Sequence, residues 1–404
     1  MNCRACNQEC SEVIDFGLMP IANNFVEEKD EDKYRFSLKA CFCQRCALFQ
    51  LSEQPEPNLM FHDHYPFFTG LSSSMKTHFG EMIELHLNQI PKSTKKLFVV
   101  EIGSNDGTLL SFVKEKNIRH LGIDPSSNVV KSSWNKGISA EIGFFSETFA
   151  KDASERHGKA DLIIAANVVC HISDINDFAK GIKVLLAQGG QFIFEEPYIG
   201  SMIEKTSYDQ IYDEHVFIFG ALSVQKIFSK AGLELVTALP QNTHGGSMRY
   251  VLMHSDEAQS NNGLEKILKY ELDIGLDKLA VYKDFAKTCN KRRMEFRNLL
   301  QELNAEGATV AGYAATSKST TILNYCNIDS NLIQFISDST PEKIGRLTPG
   351  SHIPIISHEQ MRDNPPDYLV LFAWNHEKEI FAKELDLSKN QIRWVRIVPR
   401  IEIL

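Results

Sequence analysis

One short segment, Tyr208-Asp-Gln-Ile-Tyr212-Asp-Glu214-His215, is rich in polar and aromatic groups and includes side chains that can move a proton. An imidazole can take a proton from carbon, and a hydrogen-bonded carboxylate beside it can hold its tautomer or stabilise its cation. We therefore expect Glu214 to raise the basicity of His215. Tyr212 and His215 are three residues apart and share a face if the segment is helical. A lone histidine is usually a structural hydrogen-bond partner, but His171 follows a predicted strand and is a second candidate at the same sheet edge.

Two C-x2-C pairs near the N-terminus have the spacing of metal ligands. One tight turn directs two thiolates at one ion, and two such turns complete the closed tetrahedron of a structural Zn²⁺. A closed shell leaves no position for a catalytic water. Cys10 and Cys41 are spare candidates, and the alternative is a set of small buried hydrophobes or redox thiols. The predicted ligands are Cys3, Cys6, Cys43 and Cys46.

A glycine-containing loop follows an apolar run at 97–100 and leads into an amphipathic segment. This strand–loop–helix order places a cofactor over the carboxyl edge of a parallel sheet. The loop lacks the third glycine of a dinucleotide fingerprint and fits the E/D-x-G-x-x-x-G loop of class I S-adenosylmethionine (SAM) methyltransferases. A Rossmann-like domain for another nucleotide is the alternative. The next strands end at an acid suited to ribose hydroxyls and at an asparagine. The predicted cofactor residues are Glu101, Gly103, Asn105, Asp106, Gly107, Asp124 and Asn167.

Two later segments suit an anion. Residues 316–319 open a helix after an apolar strand, and hydroxyls, backbone N–H groups and Lys318 at a helix N-terminus attract phosphate. The pattern is not a Walker A loop, and capping alone would explain the hydroxyls but not the lysine. Earlier, His244-Gly-Gly-Ser-Met-Arg249 allows a tight turn near a ligand, where Arg249 could meet a phosphate. A solvent-exposed turn is the alternative for that segment.

Composition limits the classes of protein that can carry these motifs. The chain has 404 residues, 43% of them apolar, which is enough for two or three domains. Its net charge of −9 argues against a nucleic-acid or membrane-surface binder. No apolar run approaches the ~20 residues of a membrane span. The start lacks the pattern of a secretion signal, and nine cysteines, an odd number, do not indicate a disulfide framework. We expect a soluble, cytoplasmic protein.

The elements that must position the motifs follow from periodicity. Strands and helices alternate from about 96 to 200, which predicts a doubly wound parallel sheet. Residues 263–306 have helical apolar spacing with Gly307 as a stop, and a second α/β unit follows. We predict an α/β protein with a zinc-binding module at 1–62, a class I SAM methyltransferase domain at 63–255 and a Rossmann-like domain at 256–404.

Taken in order, these parts resemble the C-methyltransferases of nucleotide-activated deoxysugars, as in the mycarose, noviose and tetronitrose pathways. The resemblance covers nearly the whole chain. The motifs that carry it are Cys3-x2-Cys6, Cys43-x2-Cys46-Ala-Leu-Phe-Gln-Leu51, Tyr65-Pro-Phe-Phe-x3-Ser72-Ser73-Ser74-Met75, Glu101-Ile-Gly-Ser-Asn-Asp-Gly107, Asn167-Val-Val-x-His171, Glu196-Pro197-Tyr198, Ile211-Tyr212-x-Glu214-His215, His244-Gly245-Gly246-Ser247-x-Arg249, Ala314-Ala315-x-x-Lys318, Pro349-Gly-x-His-Ile-Pro354 and Phe372-Ala-Trp374-Asn375.

The resemblance implies SAM, structural Zn²⁺ and a sugar nucleotide bound between the last two domains of a monomer or weak dimer. It implies methylation of a carbon next to a 4-keto group. His215 is then the base, and Tyr212, Glu214 and His171 lie near the keto oxygen or orient the base. The implied substrate-binding residues are Lys318, Ser317, Ser319, Arg249, His244 and Tyr198.

The chain departs from the family pattern at several positions. Asp213 stands where His or Tyr is expected, residues 217–220 read Phe-Ile-Phe-Gly, and Phe67 and Phe68 replace possible tyrosines. These departures leave the sugar and the methylated carbon open. The alternatives are an O- or N-methyltransferase acting on another small metabolite and a zinc ribbon fused to an RNA-binding domain, against which the net charge counts.

Overall fold

A computed structural model describes residues 1–61, 68–90, 97–258, 262–389 and 392–404. Its strands form three sheets of four, seven and six strands. Among the described residues no helix is both long and apolar enough to cross a membrane.

Apolar runs with alternating burial produce the strands, and segments with helical spacing and capping residues produce the helices. The strands are β1 (Ser11–Met19), β2 (Phe36–Cys43), β3 (Leu48–Leu51), β4 (Phe98–Ile102), β5 (Arg119–Asp124), β6 (Ala140–Ile142), β7 (Ala160–Ala166), β8 (Leu186–Pro197), β9 (Phe217–Ile218), β10 (Leu233–Gln241), β11 (Ser247–His254), β12 (Val310–Tyr313), β13 (Ile336–Asp338), β14 (Ile355–Ser357), β15 (Tyr368–Leu371), β16 (Arg393–Arg396) and β17 (Glu402–Ile403). The α-helices are α1 (Pro57–Met60), α2 (Ser73–Gln89), α3 (Thr108–Glu115), α4 (Ser127–Asn135), α5 (Glu147–His157), α6 (Ile175–Leu185), α7 (Ile199–Lys205), α8 (Ala221–Phe228), α9 (Asn262–Asp273), α10 (Leu279–Ala305), α11 (Ser317–Tyr325), α12 (His358–Asp363), α13 (Glu377–Lys383) and α14 (Leu385–Lys389).

The first sheet joins the N-terminal module to a distant segment of the chain. Its order is β1-β2-β3-β9, and every neighbouring pair is antiparallel. Strand β9 begins two residues after His215 and pairs with β3 through Phe49–Ile218 and Gln50–Phe217. Phe217 is fully buried, so apolar burial holds the added strand in place. The module is thereby attached directly behind the candidate catalytic turn.

The second sheet confirms the predicted doubly wound fold. Its order is β10-β11-β8-β7-β4-β5-β6, with β4 to β8 parallel and β11 antiparallel to β8. Strands β4 and β7 are almost wholly apolar and buried, as expected where helices cover both faces. Because neighbouring parallel strands end at the same edge, the residues after β4, β5 and β7 are brought together there.

The third sheet belongs to the C-terminal part. Its order is β14-β13-β12-β15-β16-β17, parallel except for β17. The predicted helices around 263–306 are α9 and α10, and Gly307 follows with a φ of +83°. The ring of Tyr282 in α10 stacks on Phe42 of the first sheet with centroids 4.1 Å apart. The long helix therefore packs the N-terminal module against the rest of the chain.

Candidate active site

Tyr212 and His215 touch, but a turn and not a helix brings them together. The His215 N–H donates to the Tyr212 carbonyl over 3.0 Å, and the Tyr212 hydroxyl lies 2.7 Å from Nε2 of His215. Nδ1 of His215 lies 2.7 Å from the Gln210 carbonyl oxygen. Since a carbonyl only accepts, Nδ1 carries the hydrogen and Nε2 accepts from Tyr212. Residues 212–215 are not helical, but the turn also places the two side chains on one side, where they touch.

The electrostatics of His215 differ from the expectation. Burial, with a smaller effect from His171, lowers the pKa of His215 well below its ordinary value, so the ring is neutral near pH 7. Oε1 of Glu214 accepts from Nδ2 of Asn23 over 2.7 Å, while both His215 nitrogens have the partners named above. The prediction that Glu214 raises the basicity of His215 is therefore wrong. The Gln210 carbonyl sets the tautomer.

His171 lies at the edge of the second sheet and contacts the turn that holds His215. It ends the short 3-10 helix Val169–His171 that follows β7, and its ring stacks on His215 with centroids 5.4 Å apart. Burial lowers the pKa of His171 to about 4. Oε1 of Glu196, at the end of β8, accepts from three successive backbone N–H groups of residues 168–170 at 2.9, 2.6 and 3.3 Å. One buried carboxylate thus fixes the loop that presents His171.

Cys170, His171 and His215 also place their ligand atoms within 4.8 Å of one another. This second cluster is a poor metal centre, because Nδ1 and Nε2 of His215 already have partners and the two imidazole rings face each other with 23° between their planes. Nitrogen lone pairs lie in the ring planes, so two stacked rings do not aim at one ion.

The glycine loop packs closely under the His171 loop. Gly103 has a φ of +69°, and a Cβ there would lie 2.1 Å from a methyl group of Val168. A side chain at Gly103 would therefore push away the loop that holds His171. Asp124, at the end of β5, accepts from the N–H groups of Asn105 and Ser126, each over 2.9 Å.

The donor set of this edge fits SAM. Glu101 is buried, and its Oε2 has no hydrogen-bond partner among the described residues. Burial, and then the charges of Asp124 and Asp106, raise the pKa of Glu101 well above its ordinary value. Three acids around a glycine loop suit ribose hydroxyls and an ammonium group. Gly107 and Asn167 both have left-handed backbones here, with φ of +74° and +57°.

A short strap covers this loop. The N–H groups of Thr69 and Gly70 donate to the side chains of Asn105 and Asp106, at 3.0 and 3.2 Å. Asp106 also pairs with Lys136 at 2.8 Å. The strap includes Phe68, whereas Tyr65 and Phe67 of the family motif lie outside the described residues.

The start of α11 holds the predicted anion-binding residues. Ser319 forms a capping box with Thr316, and its hydroxyl donates to the Thr316 carbonyl over 2.6 Å, so its role here is capping. Lys318 Nζ lies 3.3 Å from Oδ1 of Asn375 and 5.3 Å from the centre of the Trp374 ring. Burial lowers the pKa of Lys318, and the nearby Asp209 opposes that shift.

His244 faces this lysine from the SAM domain. Its φ is +51°, and its buried Nε2 has no hydrogen-bond partner within the described part of the chain. Burial, and then the charge of Lys318, lower the pKa of His244 to about 3. The next residue, Gly245, lies against Trp374, because a Cβ there would come 2.1 Å from the indole ring. Lys318 and His244 therefore border the same interface between the second and third sheets.

Arg249 and Tyr198 have other surroundings than predicted. Arg249 is 4% exposed, and its guanidinium pairs with Glu195 at 2.9 Å, so its charge is neutralised within the fold and not offered to a phosphate. Oε1 of Glu195 also lies 2.7 Å from Nε2 of His78. Tyr198 is buried beside Glu271, and burial followed by that carboxylate raises the pKa of its phenol. Both side chains thus lie against buried carboxylates, and their contact with substrate stays a prediction.

The four predicted metal ligands converge. Their sulfur atoms all lie within 4.8 Å of one another, and Sγ of Cys6 lies 3.6 Å from Sγ of Cys43. A zinc–sulfur bond of ~2.3 Å gives a tetrahedral edge of ~3.8 Å, so the donor set fits zinc. The spare candidate Cys10 instead accepts a hydrogen bond from Gln50.

Several residues that shape the site were not predicted from the sequence. Asn23 contacts Glu214, Gln210 orients His215, and Asp209 accepts from the Trp374 indole N–H over 2.7 Å. Asp209 and Gln210 lie within the segment singled out from the sequence, which gave them a positional signal but no role. Asn23 had none, because it is an ordinary asparagine in a loop.

Three family models match successive parts of the chain. A family model described as "Putative zinc binding domain" matches residues 3–61, which include all four converging cysteines. A model described as "Methyltransferase domain" matches residues 76–238, which include the glycine loop and the candidate catalytic turn. A model described as "C-methyltransferase C-terminal domain" matches residues 242–399.

One curated relative matches from end to end. The C-methyltransferase NovU of Streptomyces niveus is 30% identical over 406 residues, which cover 100% of this chain and 96% of the relative. Among solved structures, a SAM-dependent methyltransferase of Anabaena variabilis shares 16% identity over 44% of this chain and 85% of its own, with a TM-score of 0.36. A SAM-dependent methyltransferase of Archaeoglobus fulgidus shares 12% identity over 44% of this chain and 93% of its own, also with a TM-score of 0.36.

Proposed function

Because this chain belongs to the SAM-dependent C-methyltransferase family that includes NovU, we propose that its acceptor is a nucleotide-activated 4-keto deoxysugar, methylated next to the ketone in branched-sugar biosynthesis. When bound, SAM supplies an electrophilic methyl group. A carbon acceptor must first lose a proton, and a neighbouring ketone makes that C–H bond acidic by delocalising the charge onto oxygen. The protein must therefore provide a base and a donor for the enolate oxygen.

The oriented pair Tyr212–His215 carries this proposal. His215 is neutral, and its Nε2 is the unprotonated nitrogen. We assign Nε2 as the base that accepts the carbon-bound proton. The Nδ1–H bond to the Gln210 carbonyl then stabilises the imidazolium. The Tyr212 hydroxyl, 2.7 Å from Nε2 in the free protein, turns to donate to the enolate oxygen.

The surroundings of the pair support a substrate that spans two sheets. His171 and Val168 connect the turn to the glycine loop, where the methyl donor fits. Lys318 and the unpartnered Nε2 of His244 lie towards the third sheet, and they suit the diphosphate of a sugar nucleotide. In this proposal the hexose lies between them, with its keto carbon beside His215.

Proton exchange in D₂O tests the proposal directly. Wild-type protein should exchange the α-proton of a 4-keto-6-deoxy sugar nucleotide. Candidate substrates are dTDP-, GDP-, CDP- and UDP-sugars, and mass spectrometry measures the deuterium that each one gains. His215→Ala should slow that exchange about 10²- to 10⁴-fold, the usual contribution of a positioned base. His120→Ala, at the opposite end of β5, is the matched control and should exchange normally.

Two results would contradict the proposal. Full exchange by His215→Ala would remove His215 as the base. Methylation of a hydroxyl or amine, with no α-proton exchange from any 4-keto substrate, would favour an O- or N-methyltransferase.

A further inference from the structure

The loop between β1 and β2 reaches from the zinc module into the candidate active site. The N–H of Ala22 lies 3.2 and 3.3 Å from the two carboxylate oxygens of Asp213. The Ala22 carbonyl accepts from the Thr320 hydroxyl in α11 over 2.9 Å. Ala22 is 2% exposed, so this loop is clamped between the catalytic turn and the third-sheet domain.

The next side chain, Asn23, joins the same two regions. Its Nδ2 donates to Oε1 of Glu214 over 2.7 Å, and its Oδ1 accepts from the Ser317 hydroxyl over 2.9 Å. A carboxylate only accepts, so the partner Glu214 fixes which end of the amide carries the nitrogen. One planar amide thus donates to the catalytic turn at one end and accepts from the start of α11 at the other.

The two partners of Asn23 each precede a residue of the proposed chemistry. Glu214 is followed by His215, and Ser317 is followed by Lys318. The amide therefore sets the separation between the base and the cation that faces the anionic end of the substrate. We propose that Asn23, a residue of the zinc module, is a positioning residue for proton abstraction; this rests on the proposed function of His215 and Lys318.

This role differs from simple packing in its expected consequences. The base must lie at the reacting carbon while the other end of the substrate is held elsewhere, and a displacement of ~1 Å can cost ~100-fold in rate. Loss of the amide leaves the glycine loop and the Thr316–Ser319 capping box of α11 intact, since neither is built on Asn23. Rate should therefore fall without a matching fall in ligand affinity.

The test compares Asn23→Ala with Asn24→Ala, its exposed neighbour. Asn23→Ala should lower kcat and the α-proton exchange rate about 10- to 100-fold, with the Kd values of SAM and of a nucleoside diphosphate within about twofold of wild type. Asn23→Asp keeps the acceptor for Ser317 but loses the donor to Glu214, and should be at least as slow. Asn24→Ala should match wild type.

An unchanged exchange rate in Asn23→Ala would overturn the inference. The inference would also be overturned if the exchange rate, both ligand affinities and the melting temperature all fell together, since a joint fall indicates general destabilisation. If wild-type protein exchanges no 4-keto substrate, the proposed function fails by itself. The Asn23–Ser317 contact is then tested by a double-mutant cycle, in which the melting temperatures of Asn23→Ala, Ser317→Ala and the double variant are compared. Non-additive shifts in melting temperature support the inference, and additive shifts overturn it.

Discussion

The carboxyl edges of the two parallel sheets are built on the same plan. In each, a loop leads from a central strand into a helix and donates a backbone N–H to an acid at the end of the neighbouring strand. The Asn105 N–H donates to Asp124 over 2.9 Å, and the Ala315 N–H donates to Asp338 over 2.7 Å. Topology alone would thus assign both edges to similar ligands.

The two edges differ in the charged side chains that surround their loops. The second sheet surrounds its loop with Glu101, Asp106 and Asp124, three acids that suit a cofactor with an ammonium, a sulfonium and ribose hydroxyls. The third sheet brings Lys318 and Lys343 to its loop; Lys343 donates to the Ala315 carbonyl over 2.8 Å. The comparison teaches how side-chain charge, added to a shared backbone plan, can give two sheet edges different ligands: the acids of the second sheet suit SAM, and we propose that the lysines of the third sheet take an anion.

The zinc module contacts both edges, so removing its metal should have the largest effect. We expect Cys43→Ser or chelation to unfold the module, because apparent zinc-binding free energies of ~10–16 kcal/mol are folding free energies in small modules. Turnover should be lost with the β3–β9 pairing. Metal content and hydrogen exchange of residues 1–61 measure this. Cys41→Ser, outside the converging set, should keep the metal. Normal turnover by metal-free protein would show that the folded zinc module is not needed to position the two sheet edges.

Gly103→Ala breaks the SAM edge selectively. The new Cβ meets Val168 and adopts a left-handed φ, so we expect a loss of about 3 kcal/mol or more in unfolding free energy and of SAM binding. Gly189→Ala is the control, since its φ of +71° is similar but no atom of the described residues lies within 4 Å of the new Cβ. It should cost only ~1–2 kcal/mol. Denaturant unfolding measures the stability of both variants, and calorimetry measures their affinity for SAM. If the two variants lose equal stability and affinity, the contact with Val168 is not the cause of the loss.

Lys318→Met tests the other edge and should have the smallest effect. Removing one charge-assisted contact should weaken nucleoside diphosphate binding about 10- to 100-fold, with SAM affinity unchanged. Because burial lowers the pKa of Lys318, wild-type affinity should decline with rising pH earlier than an exposed lysine would allow. Lys378→Met, on an exposed helical position, should bind normally. Weakened SAM binding with intact diphosphate binding would reverse the assignment of the edges.

Signals within a few residues predicted much of this molecule. The C-x2-C pairs, the glycine loop and the acid after β5 each depend on local spacing, and family models and fold confirm the zinc module and the SAM domain. The three-residue spacing of Tyr212 and His215 fits a helix and a turn equally, so the sequence did not decide between them. Arg249 was expected to meet a ligand, since its partner Glu195 is distant in the sequence and carries no signal of pairing.

The amino-acid sequence by itself determined which chemistry is present: four thiolates, a glycine loop, and a tyrosine and histidine beside a carboxylate. Only the tertiary structure decided their states. The tautomer of His215 depends on the Gln210 carbonyl, and its neutral charge depends on burial. Asn23 meets Glu214 across 191 positions and Ser317 across 294. Such pairs arise when separate sheets pack, and no periodicity along the chain encodes them.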